Sequence, residues 1–147
     1  MDREEATVIA NDAREQRGLS WANLAEVAGR SKVWTTSALL GQQAMPTDVA
    51  QKVGAALGLD EEVVAALRTS PSKGCLGDMI PTDPLMYRFY EILQVYGTTL
   101  KELIHEEFGD GIMSAIDFEM ELDRLPDPKG DRVKVTMHGK FLPYRVW

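Results

Sequence analysis

The spacing of apolar residues changes from a helical period to a period of two close to residue 110. Before that point, apolar residues recur every three or four positions in short segments separated by glycines. After it, apolar residues alternate with acidic ones from Ile116 to Asp123, as expected for a strand with one buried face. A chain in which helices come first and strands last is predicted to belong to the α+β class.

Five short helices are predicted over about residues 1–70. Each apolar segment has helical spacing, and a glycine or an N-capping residue such as Ser20 stands at most of the predicted ends. No β-rich run interrupts these segments. We therefore expect an all-α five-helix bundle, assigned to a first domain of residues 1–76.

The pattern Leu24-Ala25-x-x-Ala28-Gly29, followed after a short turn by another helix, is similar to a repressor-type helix-turn-helix. Charge argues against DNA binding, because residues 1–76 hold eight Lys and Arg against ten Asp and Glu. The candidate recognition helix, residues 31–37, has one Lys and no Arg or Asn to contact a base edge. No nucleic acid partner is expected. A helix-turn-helix regulator with a C-terminal dimerisation or ligand-sensing domain stays as the alternative.

Residues 69–82 are rich in proline, glycine and small polar residues, which predicts a linker, and the second domain is assigned to residues 77–147. Asp83-Pro84 predicts the start of a helix that ends at Gly97. Thr99-x-x-Glu102 resembles a capping box for a second helix, which ends at Gly109.

About three strands are predicted after Gly111, with a turn at residues 126–130 and a tight hairpin at His138-Gly139. Two helices and three strands give a thin core with exposed sheet edges. Such a domain is expected to pair with another copy of itself, so the protein is predicted to be an obligate homo-oligomer.

The net charge of −7 disfavours binding to nucleic acids and anionic membranes, so an anion site must be built locally from arginine or backbone N–H groups. No apolar run is long enough for a membrane helix, and the N-terminal residues do not resemble a secretory signal. One cysteine, Cys75, excludes an internal disulfide. A cytoplasmic location is predicted.

Arg88 and Glu91 are spaced to share one face of a helix. Spacing alone favours a surface ion pair, and the alternative is that Glu91 orients the Arg88 guanidinium toward an anion. Ser114 follows two glycines, where it is either a turn residue or a hydrogen-bond donor to a small anion. His105 is expected at a solvated or core-edge position and His138 in a turn. Their spacing, with a single cysteine, supports no metal site.

Two long motifs carry a resemblance to the cyanase family. The run from Pro81 to Gly97, PTDPLMYRFYEILQVYG, is similar to the family's signature helix. The run from Phe108 to Ile116, FGDGIMSAI, resembles its second motif, and Gly139-Lys140-Phe141-Leu142-Pro143 resembles its closing hairpin.

The resemblance implies bicarbonate-dependent decomposition of cyanate to ammonia and carbon dioxide through carbamate, with bicarbonate as co-substrate and no cofactor. It places the catalytic Arg, Glu and Ser at Arg88, Glu91 and Ser114. It also implies that residues 77–147 form an intertwined dimerisation domain, that five dimers build a decamer, and that active sites lie between subunits.

Overall fold

The computed structural model describes residues 1–74 and 80–147. These residues form six α-helices and one two-stranded antiparallel sheet, which confirms the α+β class. Contacts group them into two compact units, residues 1–74 with 120–136, and residues 80–119 with 137–147. The predicted domain boundary after residue 76 and the single cysteine, Cys75, both lie outside the described residues, and the boundary stays a prediction.

The first five helices lie where the sequence predicts them. In chain order the elements are α1 (Arg3–Gln16), α2 (Trp21–Ala28), α3 (Lys32–Leu39), α4 (Thr47–Leu57), α5 (Glu61–Leu67), α6 (Pro84–Phe108), β1 (Gly111–Leu125) and β2 (Arg132–Pro143).

Local side-chain chemistry fixes the ends of these helices. Ser20 begins α2 by accepting the N–H of Asn23, and Asp60 begins α5 by accepting the N–H of Val63. Gly29 and Gly58 end α2 and α4 in the left-handed conformation, where a Cβ would be strained. The predicted glycine stops at these two positions are therefore confirmed.

The helices α1 to α5 share one apolar core. Leucines from four of them are at most 1% exposed, and each contributes roughly 1.5–3 kcal/mol by leaving water. The largest fully buried side chains are Leu24, Leu39, Leu57, Leu67, Val49, Val53, Val63 and Thr35.

A buried arginine links α1 to the end of α3. Arg3 donates from Nη2 to the carbonyl oxygen of Ala38 at 2.7 Å and from Nη1 to the Thr7 hydroxyl. Burial lowers the pKa of Arg3, because the charged form loses water contacts. Carbonyls at a helix C-terminus are good partners for a cation, and Arg3 adds a charged donor to the Ala38 carbonyl, which also accepts the N–H of Gly41 at 3.0 Å.

The predicted break at Gly97 is wrong. Residues 84–108 form one continuous helix of 25 residues, α6, and Thr99 lies inside it, not at a capping position. Apolar residues continue at helical spacing across Gly97, and a glycine in a helix interior costs only about 1 kcal/mol. The helix ends at Gly109, as predicted.

Within the described part of the chain, none of the residues of α6 is buried. In the single chain the apolar face of α6 is therefore open among the residues described. Large exposed apolar side chains on α6 are Leu85, Met86, Phe89, Ile92, Leu93, Val95, Tyr96, Leu100, Leu103 and Phe108.

The hairpin predicted at His138-Gly139, with a third strand after it, is also wrong. Both residues lie inside β2, which runs without a turn from Arg132 to Pro143 and pairs with β1. The turn at residues 126–130 is confirmed, since it joins β1 to β2. A glycine in a strand interior often marks a close approach of another backbone, and Gly139 is such a case.

No helix among the described residues is long and apolar enough to cross a membrane.

Candidate active site

Arg88 and Glu91 lie on the first half of α6. The helix is started by Asp83, whose carboxylate accepts the N–H groups of Leu85 and Met86 at 3.0 and 2.9 Å. Arg88 Nη1 lies 3.3 Å from Glu91 Oε2. The two side chains are 62% and 45% exposed, so in a single chain the pair has the geometry of a surface ion pair. Its single contact leaves the other guanidinium N–H groups of Arg88 available to a ligand.

Ser114 is buried, with 6% of its surface exposed. It lies near the start of β1, and its hydroxyl oxygen accepts the N–H of Ile116 at 3.1 Å and the N–H of Asp117 at 3.0 Å. The predicted role in satisfying a turn is therefore present. Since both lone pairs of the hydroxyl oxygen are occupied, the remaining capacity of the side chain is its O–H, which is a donor.

Among residues 1–74 and 80–147, no hydrogen bond or ion pair joins Ser114 to Arg88 or Glu91. Among the described residues, one chain thus links two of the three predicted site residues by a direct contact and does not bond the third to them. The sequence also did not predict that the Ile116 and Asp117 N–H groups both point at Ser114. The signal for that turn is a serine two and three residues before the two donors.

A pocket of about 350 Å³ lies where α6 passes into β1. His105 and Asp110 line it, with His105 Nε2 at 3.9 Å from Asp110 Oδ1. His105 is partly exposed, in agreement with the predicted core-edge position. The predicted turn position of His138 is wrong, because it lies in β2, where its Nε2 is 3.4 Å from Glu119 Oε2.

The part of the chain that the structure describes contains no group of three His, Cys, Asp or Glu side chains suited to a metal ion. The groups that the sequence predicts for the site are the arginine, the serine hydroxyl and backbone N–H groups. Together these groups can bind small anions through charge-assisted hydrogen bonds.

Comparison with known proteins matches both halves of the chain to one family. The family profile described as "Cyanate hydratase, N-terminal" matches residues 3–71, and the profile "Cyanate lyase C-terminal domain" matches residues 78–146. The chain is 58% identical to the cyanate hydratase of Ralstonia pickettii (strain 12J) and 57% identical to that of Dechloromonas aromatica (strain RCB). Both similarities cover all of each chain.

A solved structure gives the same result. The crystal structure of cyanase from T. urticae matches with a TM-score of 0.83 and 39% identity, covering 94% of this chain and 96% of that one. These similarities define an enzyme of the lyase class. The chain belongs to the cyanate hydratase family, whose members are also called cyanases.

Proposed function

We propose that the protein catalyses the bicarbonate-dependent decomposition of cyanate to ammonia and carbon dioxide. Full-length similarity to cyanate hydratases carries this proposal. The family resemblance implies that Arg88, Glu91 and Ser114 are its catalytic residues. Cyanate and bicarbonate are the substrates, and no further cofactor is invoked.

The reaction joins two anions and then breaks the product. An oxygen of bicarbonate attacks the carbon of cyanate, and the resulting dianion takes up one proton and loses carbon dioxide to leave carbamate. Carbamate takes up a second proton and separates into ammonia and a second carbon dioxide. The net reaction consumes one cyanate, one bicarbonate and two protons. Because like charges repel, holding the anions together and neutralising them should supply most of the catalysis.

The geometry supports separate roles for the three residues. The Arg88 guanidinium can hold an anion by two parallel N–H bonds, and the contact at 3.3 Å with Glu91 orients it. An ionised Glu91 close to two anions would repel them, so orienting Arg88 is its main role and proton transfer a weaker alternative. Ser114 acts as a donor, since its oxygen already accepts two N–H groups.

The active site is proposed to form between subunits. Among the residues described, no hydrogen bond or ion pair joins Ser114 to Arg88 or Glu91, and α6 leaves its apolar side chains open. A second copy would cover them, which supports the expected intertwined dimer. Assembly of five dimers into a decamer follows the family resemblance. The helix-turn-helix-like five-helix bundle then serves packing and not DNA binding, and the cytoplasmic location stays a prediction.

The proposal is tested by mixing the protein with cyanate, with and without bicarbonate, and measuring ammonia. Release of ammonia that requires bicarbonate is the expected result. An absence of ammonia with both substrates present would contradict the proposal. Salt-sensitive DNA binding in its place would favour the helix-turn-helix regulator, which the comparisons do not favour.

A further inference from the structure

Gly139 lies in β2 against the turn that Ser114 makes in β1. A Cβ built on Gly139 would overlap the carbonyl oxygen of Ser114 and would lie 3.2 Å from the carbonyl oxygen of Asp117. The side chain of Met113 is also close, with Cγ at 2.9 Å. Two of these three neighbours are backbone atoms, which cannot rotate away as the end of a flexible side chain does.

The need for glycine at this position is one of space and not of conformation. The φ angle of Gly139 is not in the positive range that other residues avoid. Glycine weakens a strand, because it has no side chain to pack and loses more backbone freedom on folding. What glycine supplies here is the close approach of β2 to the backbone of β1.

The two carbonyl groups that a Cβ on Gly139 would meet belong to the two ends of one turn. That turn runs from Ser114 to Asp117, and it is closed by the N–H groups of Ile116 and Asp117 on the Ser114 hydroxyl oxygen. Because these two N–H groups hold the Ser114 hydroxyl oxygen, a displacement of either end of the turn would move that oxygen. A side chain at position 139 would therefore disturb the hydroxyl without touching it.

We propose that Gly139 is a positioning residue for the Ser114 hydroxyl. By lacking a side chain it lets β2 pack against the turn at residues 114–117 and hold the O–H in one direction. The inference rests on the proposed role of Ser114 as a donor to a substrate anion. Gly139 itself does not touch substrate.

The test is Gly139→Ala, alone and combined with Ser114→Ala, with kcat and KM measured for cyanate and affinity measured for oxalate, a small dianion. Misplacing a reacting group by about 1 Å can cost on the order of 10²-fold, so Gly139→Ala is expected to lower kcat/KM by ten- to a hundredfold. In the Ser114→Ala background, Gly139→Ala should cost nothing further, because the hydroxyl that it positions is gone.

Gly54→Ala is the matched control. A Cβ on Gly54 would overlap the Val64 side chain, so this substitution also introduces a steric clash, but within the helical core. It is expected to lower Tm and leave kcat/KM unchanged. Hydrogen exchange gives a second measurement, in which the Ile116 and Asp117 amides should exchange faster in Gly139→Ala than in the wild type.

Three results would overturn the inference: a folded Gly139→Ala enzyme with wild-type kcat/KM, losses that multiply in the double variant, or a Gly139→Ala chain that does not fold. The last would assign Gly139 to folding of the hairpin. Ammonia release by the wild-type protein is measured separately. If the wild type is active and Ser114→Ala is impaired while Gly139→Ala is not, this inference alone fails.

Discussion

Arg88 Nη1 lies 3.3 Å from Glu91 Oε2, one turn further along α6. As an exposed helix pair it stabilises the fold by only about 0.2–0.5 kcal/mol. Stability therefore gives little reason for this pairing. Its consequence is geometric, since a guanidinium held on one side by a carboxylate presents its other donors in a fixed plane.

Arg88→Lys is expected to keep the fold and to lower kcat/KM by about a hundredfold or more, because an ammonium lacks the planar fork that holds an anion at two points. Steady-state ammonia release checks this, with circular dichroism to confirm folding. Arg68→Lys, at the exposed C-terminal cap of α5, is the matched control and should be unchanged. Wild-type turnover by Arg88→Lys would contradict the proposal that the Arg88 guanidinium holds an anion at two points.

Glu91→Gln separates orientation from proton transfer. A glutamine oxygen can still accept the Arg88 N–H, so the orienting role predicts a loss within about tenfold, whereas loss of a general base typically costs about 10²–10⁴-fold. The pH profile of kcat/KM should keep its shape in Glu91→Gln. Glu91→Ala is the comparison. If Glu91→Gln lowered kcat/KM as much as Glu91→Ala does, and the acidic limb of the pH profile disappeared, Glu91 would act as a general base.

Ser114→Ala removes both the proposed donor and the acceptor of two backbone N–H groups. Binding of oxalate should weaken by about ten- to a hundredfold, since a hydrogen bond to a charged group is worth about 1.5–3 kcal/mol. Isothermal titration calorimetry measures the change. Unchanged oxalate affinity in the folded variant would place Ser114 outside the site.

Leu93→Glu tests whether α6 is an interface. Leu93 is 60% exposed in the single chain, and covering a new carboxylate without a partner costs roughly 3–5 kcal/mol. Sedimentation should then show smaller species, with activity lost. Val8→Glu, on α1, is a fair comparison because Val8 is 59% exposed, and it should assemble normally. A Leu93→Glu protein of wild-type mass would show that this part of α6 faces solvent.

Arg3→Ala should lower the free energy of unfolding by about 2 kcal/mol, because the Ala38 carbonyl loses a charged donor in a buried position. Urea denaturation followed by circular dichroism checks this value. Lys52→Ala, which removes an exposed ion pair with Asp48, should change stability little. If Arg3→Ala and Lys52→Ala lowered the free energy of unfolding equally, Arg3 would contribute no more than a surface charge does.

The sequence predicted helix ends well where glycine is required for its backbone conformation, as at Gly29 and Gly58. The predicted helix end at Gly97 and the predicted hairpin turn at Gly139 were wrong. At both positions φ is not positive, so the glycine does not mark an end or a turn. The residue type is glycine in both cases. What distinguishes them is the backbone conformation of the glycine and the groups packed against it, which local sequence does not show. Local pattern could therefore predict α1 to α5 but not the length of α6 or the number of strands.

The same limit applies to the site. The pairing of Arg88 with Glu91 follows from helical spacing, and the turn at Ser114 follows from local hydrogen bonding. Neither is a long-range contact. Bringing Ser114 to Arg88 is expected to require a second chain, and no spacing within one sequence encodes the position of a neighbouring copy.

The exposed apolar surface of α6 has a consequence for how activity responds to concentration. If assembly covers this helix and completes each site, dilution should dissociate the assembly into chains that are partly folded and inactive. Activity per chain should then rise with protein concentration. A single defective chain in a mixed assembly would impair the sites that it shares with intact neighbours. The fraction of activity lost would therefore be larger than the fraction of defective chains.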